Sequence, residues 1–204
     1  VRGESGGEQV VGVGIVGPPS YVVTTGNDGS PYMRSRPLAS VDNARLIHIL
    51  YPTHAESWDT RPAFDLLQDD DTAAALRIWM DDNNFDDVLI VYNPTPAGTV
   101  VGDYRFDGQA AFVKKHVNGD LQQVFIQGGT FLADVPQDDV ILIAQSDNSE
   151  PFEAVFIGDT VEVWGQFSDP VTLYAPGVRR LLVNGTQSDF IRDCDHIIFP
   201  VSSM

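Results

Sequence analysis

Apolar residues in this chain recur with a period of two, in runs too short for long amphipathic helices, and that pattern restricts it to layered sheets. Residues 159–200 show it best: DTVEVWGQFSDPVTLYAPGVRRLLVNGTQSDFIRDCDHIIFP. Val161, Val163 and Phe167 fall on one side of an extended chain, and Glu162, Trp164 and Gln166 fall on the other. Asp169-Pro170 breaks this run. A second run, 171–175, ends at Pro176-Gly177, and a third, 178–183, meets Asn184-Gly185, a dipeptide suited to the positive φ angles of a type I′ hairpin turn. The chain returns through Phe190 and closes on 196–199, which predicts the edge of a large antiparallel assembly.

The same grammar runs through the rest of the chain. Strands are predicted at 9–16, 21–24, 45–51, 72–80, 88–92, 100–106, 109–116, 121–127, 130–133, 140–145, 152–157 and 160–167. Between them stand Asp107-Gly108, Asn118-Gly119, Gly128-Gly129 and Gly158-Asp159, each a turn signal. In 72–80, Leu76, Ile78 and Met80 lie on one side and Arg77 with Trp79 on the other, which excludes a helical period. Residues 62–67 are ambiguous, since Pro62 at a first turn followed by Ala63, Phe64, Leu66 and Leu67 also suits a short helical turn. The expected fold is all-β, an antiparallel β-sandwich of many short strands joined by hairpins. Residues 1–7 read as a flexible lead-in and 8–204 as a single β-sandwich domain, with no composition shift inside it.

A chain of 204 residues buries roughly 70% of the surface its extended form exposes, enough for a core without staples. Cys194 has no partner for an intrachain disulfide and sits between Asp193 and Asp195, where anionic neighbours disfavour a reactive thiolate. It reads as an ordinary residue near a turn. The formal charge is −17, and lysine occurs only at Lys114 and Lys115. Such a balance repels nucleic acid and anionic lipid, and it resembles surfaces adapted to high salt, where counterions screen self-repulsion. No apolar run approaches the roughly twenty residues of a membrane-spanning helix. The start at Val1 reads as an internal boundary or a processed end.

Four phrases in order carry a family resemblance: NARLIHILYPT at 43–53, DYRFDGQAAFVK at 103–114, FIQGGTFLA at 125–133, and the closing VTLYAPGVRRLLVNG with DHIIFP. Together they cover most of 43–200 and resemble the C-terminal β-sandwich region of heparinase II/III-like polysaccharide lyases. The resemblance implies a parent enzyme that joins a helical α/α toroid to a β-sandwich and cleaves uronate-containing glycans by β-elimination. That chemistry needs a neutralised carboxylate, a base and an acid, supplied in the family by Asn or Arg, Tyr and His on the toroid and the first part of the sandwich. This chain has no amphipathic helical array, so the implied role is a structural accessory domain that packs on the helical catalytic domain, without catalysis of its own. The alternative is an independent extracellular carbohydrate-binding or adhesive module. A third reading, an enzyme complete in these residues, lacks a converging acid/base set. The resemblance implies extracellular or periplasmic placement, with anionic polysaccharide as the parent's substrate.

 Cofactors are not implied by any motif.

Candidate site residues are few. Trp79 and Trp164 stand on strand faces among polar neighbours and are the first choice for stacking on sugar rings, although aromatics also build β cores. His48 and His54 flank Tyr51 in RLIHILYPTHAE, a set with acid, base or metal-ligand chemistry. His48 shares its strand side with Leu46 and Leu50, which predicts a packed or hydrogen-bonded core histidine, while His54 follows Pro52 and is predicted solvated. The acidic clusters Asp69-Asp70-Asp71, Asp81-Asp82, Asp86-Asp87 and Asp138-Asp139 offer oxygen ligands for Ca²⁺, but none has EF-hand spacing, and solvated loop charges are expected. Arg179-Arg180 and Arg34 with Arg36 are the compact basic pairs and read as surface charge. No nucleophile-elbow, zincin, Walker or dinucleotide motif occurs. The charge pattern makes one prediction: thermal melting of the chain shifts upward between low and molar salt, and an unchanged melting temperature refutes salt adaptation.

Overall fold

A computed structural model describes residues 9–17, 21–27, 31–40, 46–135, 141–146, 149–167 and 170–200. The lead-in expected at 1–7 and the pair Asp138-Asp139 lie outside the described residues. The chain divides into two compact units, 1–64 and 65–204, where the sequence suggests one domain from residue 8 onward.

In the first unit, β1 (Gln9–Gly17) pairs antiparallel with β4 (Ile47–His54), and β2 (Tyr21–Asn27) pairs with β3 (Pro31–Pro37). A 3₁₀ helix, Ala55–Thr60, follows β4. The strand β3 and this helix have no counterpart in the sequence reading.

The second unit holds β5 (Ala63–Asp69, straddling the division), β6 (Ala73–Trp79), β7 (Asn84–Val91), β8 (Thr99–Val101), β9 (Tyr104–Phe106), β10 (Ala110–His116), β11 (Leu121–Gln127) and β12 (Phe131–Asp134). It continues through β13 (Ile141–Gln145), β14 (Phe152–Ile157), β15 (Thr160–Gly165), β16 (Val171–Tyr174), β17 (Arg180–Val183), β18 (Thr186–Ser188), β19 (Ile191–Asp193) and β20 (His196–Phe199). These strands make a nine-stranded sheet, ordered β18-β17-β15-β14-β11-β10-β7-β6-β5, and a seven-stranded sheet, ordered β19-β20-β16-β13-β12-β9-β8. The expected all-β sandwich is therefore present. Successive hairpins go to alternate sheets: β8-β9 joins one, β10-β11 the other, β12-β13 the first again. Each sheet thus grows sideways as the chain proceeds. One pair departs from the antiparallel rule, since β15 and β17 run parallel with β16 crossing through the other sheet between them.

The core lies between the inner faces. Leu89, Ala111, Val113, Val124, Ile126, Phe152, Val161 and Val163 come from the larger sheet, and Phe106, Leu132, Leu173, Ile197 and Phe199 from the smaller. Val161 and Val163 face inward and Trp164 outward, as the alternation in this strand requires. Burying each of these Val, Leu, Ile and Phe side chains contributes about 1.5–3 kcal/mol.

Two glycines permit the switch between sheets. A Cβ on Gly108 would come within 2.7 Å of the Gly129 nitrogen, and one on Gly129 within 2.6 Å of the Gly108 Cα, so neither turn admits a side chain. Asp107 locks the crossing: its carboxylate accepts from the backbone nitrogens of Thr130 and Phe131 and from the Thr130 hydroxyl.

Two segments differ from expectation. Residues 62–67 do not turn helically, because Ala63–Asp69 finds a ladder partner at the sheet edge. The run 100–106 is a hairpin rather than one strand, reversed at Gly102 with φ +57°. Asn184 and Gly185 both adopt positive φ, 50° and 78°, as the predicted type I′ turn demands. Cys194 also has positive φ, 52°, in the two-residue loop joining β19 to β20, a conformation that costs an L-residue roughly 1–2 kcal/mol. Cys194→Gly is expected to raise stability by about 0.5–1 kcal/mol, since glycine's larger unfolded-state entropy offsets part of the relieved strain. Thermal unfolding under reducing conditions checks this, and a lowered midpoint refutes it.

Candidate functional site

Trp79 and Trp164 do not share a surface. Trp79 ends β6 on its inner side, with Ala73, Ala75 and Arg77; its Nε1 donates to Asp65 Oδ2 at 2.6 Å and its ring lies 5.3 Å from that of Phe85. Trp164 stands on the outer side of β15, 46% exposed and directly opposite Glu153. Register carries this outer row onward from Glu153 to Phe125, Phe112, Val88 and Leu76. Trp164 therefore belongs to a partly apolar sheet face, whereas Trp79 is held in a polar and aromatic lock.

His48 and Tyr51 also separate, because alternation along β4 sends them to opposite sides. His48 is not a core residue. It is exposed beside Leu50, and its Nε2 lies 2.7 Å from the Ser35 hydroxyl, so the hydrogen-bonded part of the expectation holds and the packed part does not. The physical reason is that among the described residues β4 pairs only with β1, and His48 on its side is exposed. His54 is exposed at the end of β4.

Of the acidic clusters, Asp70 and Asp81 cap turns, whereas Asp86 and Asp87 stand on β7 and Asp87 is buried, against the expectation of solvated loop charge. Asp70 accepts from the Thr72 hydroxyl, the Thr72 and Ala73 nitrogens and Gln68, and these bonds, led by the Thr72 hydroxyl, hold its carboxyl well below the usual range. Asp81 is lowered likewise, first by the Asn84 side chain and then by the Asn83 nitrogen. Asp86 goes the other way, raised by burial, with Oδ1 lacking a hydrogen-bond partner. Among the described residues no three His, Cys, Asp or Glu side chains converge to hold a metal. Arg36, Arg179 and Arg180 are exposed, as is the thiol of Cys194.

The main polar constellation was missed by the sequence reading. Arg77 on β6 faces Asp87 on β7 across the ladder and grips it with two bonds of 2.8 Å, Nε to Oδ1 and Nη2 to Oδ2. Asp87 is fully buried. From the smaller sheet, the Tyr104 hydroxyl donates to Asp87 Oδ2 at 2.6 Å, and Asp103 accepts from Arg77 Nη2 at 2.9 Å. Lys115 on β10 reaches across to Asp134 on β12 and lies 5.0 Å from the centre of the Tyr104 ring. Arg77 is itself capped by the Phe85 ring at 4.2 Å. The visible signal was Asp87 at a position of β7 whose same-side neighbours, Phe85, Leu89 and Val91, are apolar.

Chemically this is a clamp. Burial, followed by the charge of Asp87, pushes the Tyr104 hydroxyl far above its ordinary range, and the Arg77 guanidinium is raised chiefly by its bonds to Asp87. Tyr104 and Asp87 meet no solvent from which a substrate atom could approach. Arg77, Lys115 and the three carboxylates instead join the two sheets through polar contacts that compensate one another's desolvation. No known family model matches the chain, and no curated protein matches it. Asp87→Ala is expected to cost about 3–5 kcal/mol by stranding Arg77, and Tyr104→Phe about 1–3 kcal/mol. Urea unfolding checks both, and losses under about 1 kcal/mol for Asp87→Ala refute the clamp.

Proposed function

We propose that this chain is a structural accessory β-sandwich of a heparinase II/III-like polysaccharide lyase, built to pack against a helical catalytic domain and not to cleave glycan alone. The sequence resemblance over 43–200 supports the reading, and one structural observation carries it: the open side of the β1 and β4 ribbon. There Val13 lies opposite Leu50 and Val11 opposite Pro52, and Val11, Val13 and Leu50 are 62%, 37% and 67% exposed. On the β2 and β3 hairpin, Tyr21, Val23 and Met33 likewise expose one apolar side.

An isolated two-stranded ribbon is marginal in water, so apolar residues on its uncovered side favour a partner surface. Interdomain contact also accounts for the charge, because a −17 chain that supports an enzyme from outside the substrate path need not attract a polyanion. The second reading, a carbohydrate-binding module, is favoured by the exposed Trp164 beside the Phe125 and Phe112 row. Extracellular or periplasmic placement belongs to either reading.

The two separate by experiment. Val13→Asp combined with Leu50→Asp is expected to lower binding of an apolar-surface dye severalfold with little change in melting temperature, and to abolish association with the helical domain of such a lyase. The unaltered chain, incubated alone with heparan, alginate or ulvan, is expected to generate no unsaturated-uronate absorbance. Unchanged dye binding and association, or a rise in that absorbance, overturns the proposal.

A further inference from the structure

The geometry points to a binding site for one flat aromatic ring bearing a carboxylate, in a cleft of the first unit that shares Val13 with the docking face. The cleft has a volume of about 120 Å³ and is lined by Gly12, Val13, Gly14, Tyr51, Trp58, Arg61 and Phe64. Drug-sized sites run to several hundred Å³, so this one holds a single ring.

Glycines at alternate positions of β1 create it. A Cβ on Gly12 would fall 2.9 Å from the Trp58 ring, and one on Gly14 would fall 3.2 Å from the Phe64 ring, so each aromatic rests directly on bare backbone. The two glycines are about 7 Å apart along the strand. Tyr51, opposite Gly12 on β4, adds a hydroxyl that makes no hydrogen bond among the described residues.

Arg61 supplies the charge. Its guanidinium lies 5.1 Å from the centre of the Trp58 ring, and its Nη1 donates to the Trp58 carbonyl at 3.1 Å. Its Nε and Nη2 make no hydrogen bond among the described residues, and together they are two parallel donors in the arrangement that grips a carboxylate. A cationic ligand would meet Arg61 and be repelled. A sugar ring would bring hydroxyl groups into a lining with few polar partners, and each one stripped of water without replacement weakens binding. An aromatic acid meets neither obstacle.

Calorimetry on the whole chain, at fixed ionic strength, with benzoate, benzamide and glucuronate as probes tests the assignment. Benzoate is expected to bind saturably and about tenfold more tightly than benzamide, the effect of one charge-assisted contact, with glucuronate weaker than benzoate. Arg61→Gln should remove the preference for benzoate over benzamide, and Trp58→Ala should remove binding of both. Thermal melting of each variant establishes that it is folded, and a shift of the Trp58 indole resonance on benzoate addition to the native chain reports the site without any variant. Absence of saturable benzoate binding, equal affinity for benzamide, or tighter binding of glucuronate overturns the inference.

Discussion

The grip of Arg77 on Asp87, completed by the Tyr104 hydroxyl, decides which sides of the central strands are inside. A shift of one residue in the pairing of β6 with β7 would turn this guanidinium and carboxylate outward and bring Leu76 and Val88 in, a change that hydrophobicity alone would not oppose. With the clamp closed, Ala73, Ala75 and Leu89 take the core side, and the smaller sheet is tied on through Tyr104, Asp103 and Asp134. Removing one partner would leave a buried charge uncompensated, which is why such a group resists replacement even where its net contribution to stability is small.

Around that fixed point the sandwich is assembled from local pieces. Each hairpin pairs within itself and then adds to the edge of the sheet left by the hairpin before last. The glycine crossing at Gly108 and Gly129 and the cap at Asp107 let the chain pass between layers without a long loop. Most of the acidic residues lie outside this framework, and those in tight turns satisfy backbone nitrogens, as Asp70 and Asp81 do.

The first unit is organised differently. Its ribbon has one side covered by Trp58 and Phe64 and the other side apolar and open, so it offers both a small aromatic cleft and a surface suited to another protein layer. Neither feature arranges an acid, a base and a carboxylate clamp around a reacting carbon. His48 and Tyr51, adjacent in the sequence to such a role, are parted by the alternation of the strand that carries them.

Period-two alternation and turn dipeptides were sufficient to read the all-β class, most strands and the Asn184-Gly185 turn from sequence, because these depend on each residue and its near neighbours. The strand at 63–69, the split at Gly102 and the division near Phe64 were not legible, since an edge strand or a boundary depends on which distant segment supplies its hydrogen bonds. The candidate sites show the same limit. Aromatic residues could be singled out, but only the fold placed Trp79 against Asp65, left Trp164 exposed and set Trp58 and Phe64 over two glycines. Local sequence determines which way a side chain leaves the backbone; what it meets there is decided by strand partners far along the chain, and function resides in those meetings.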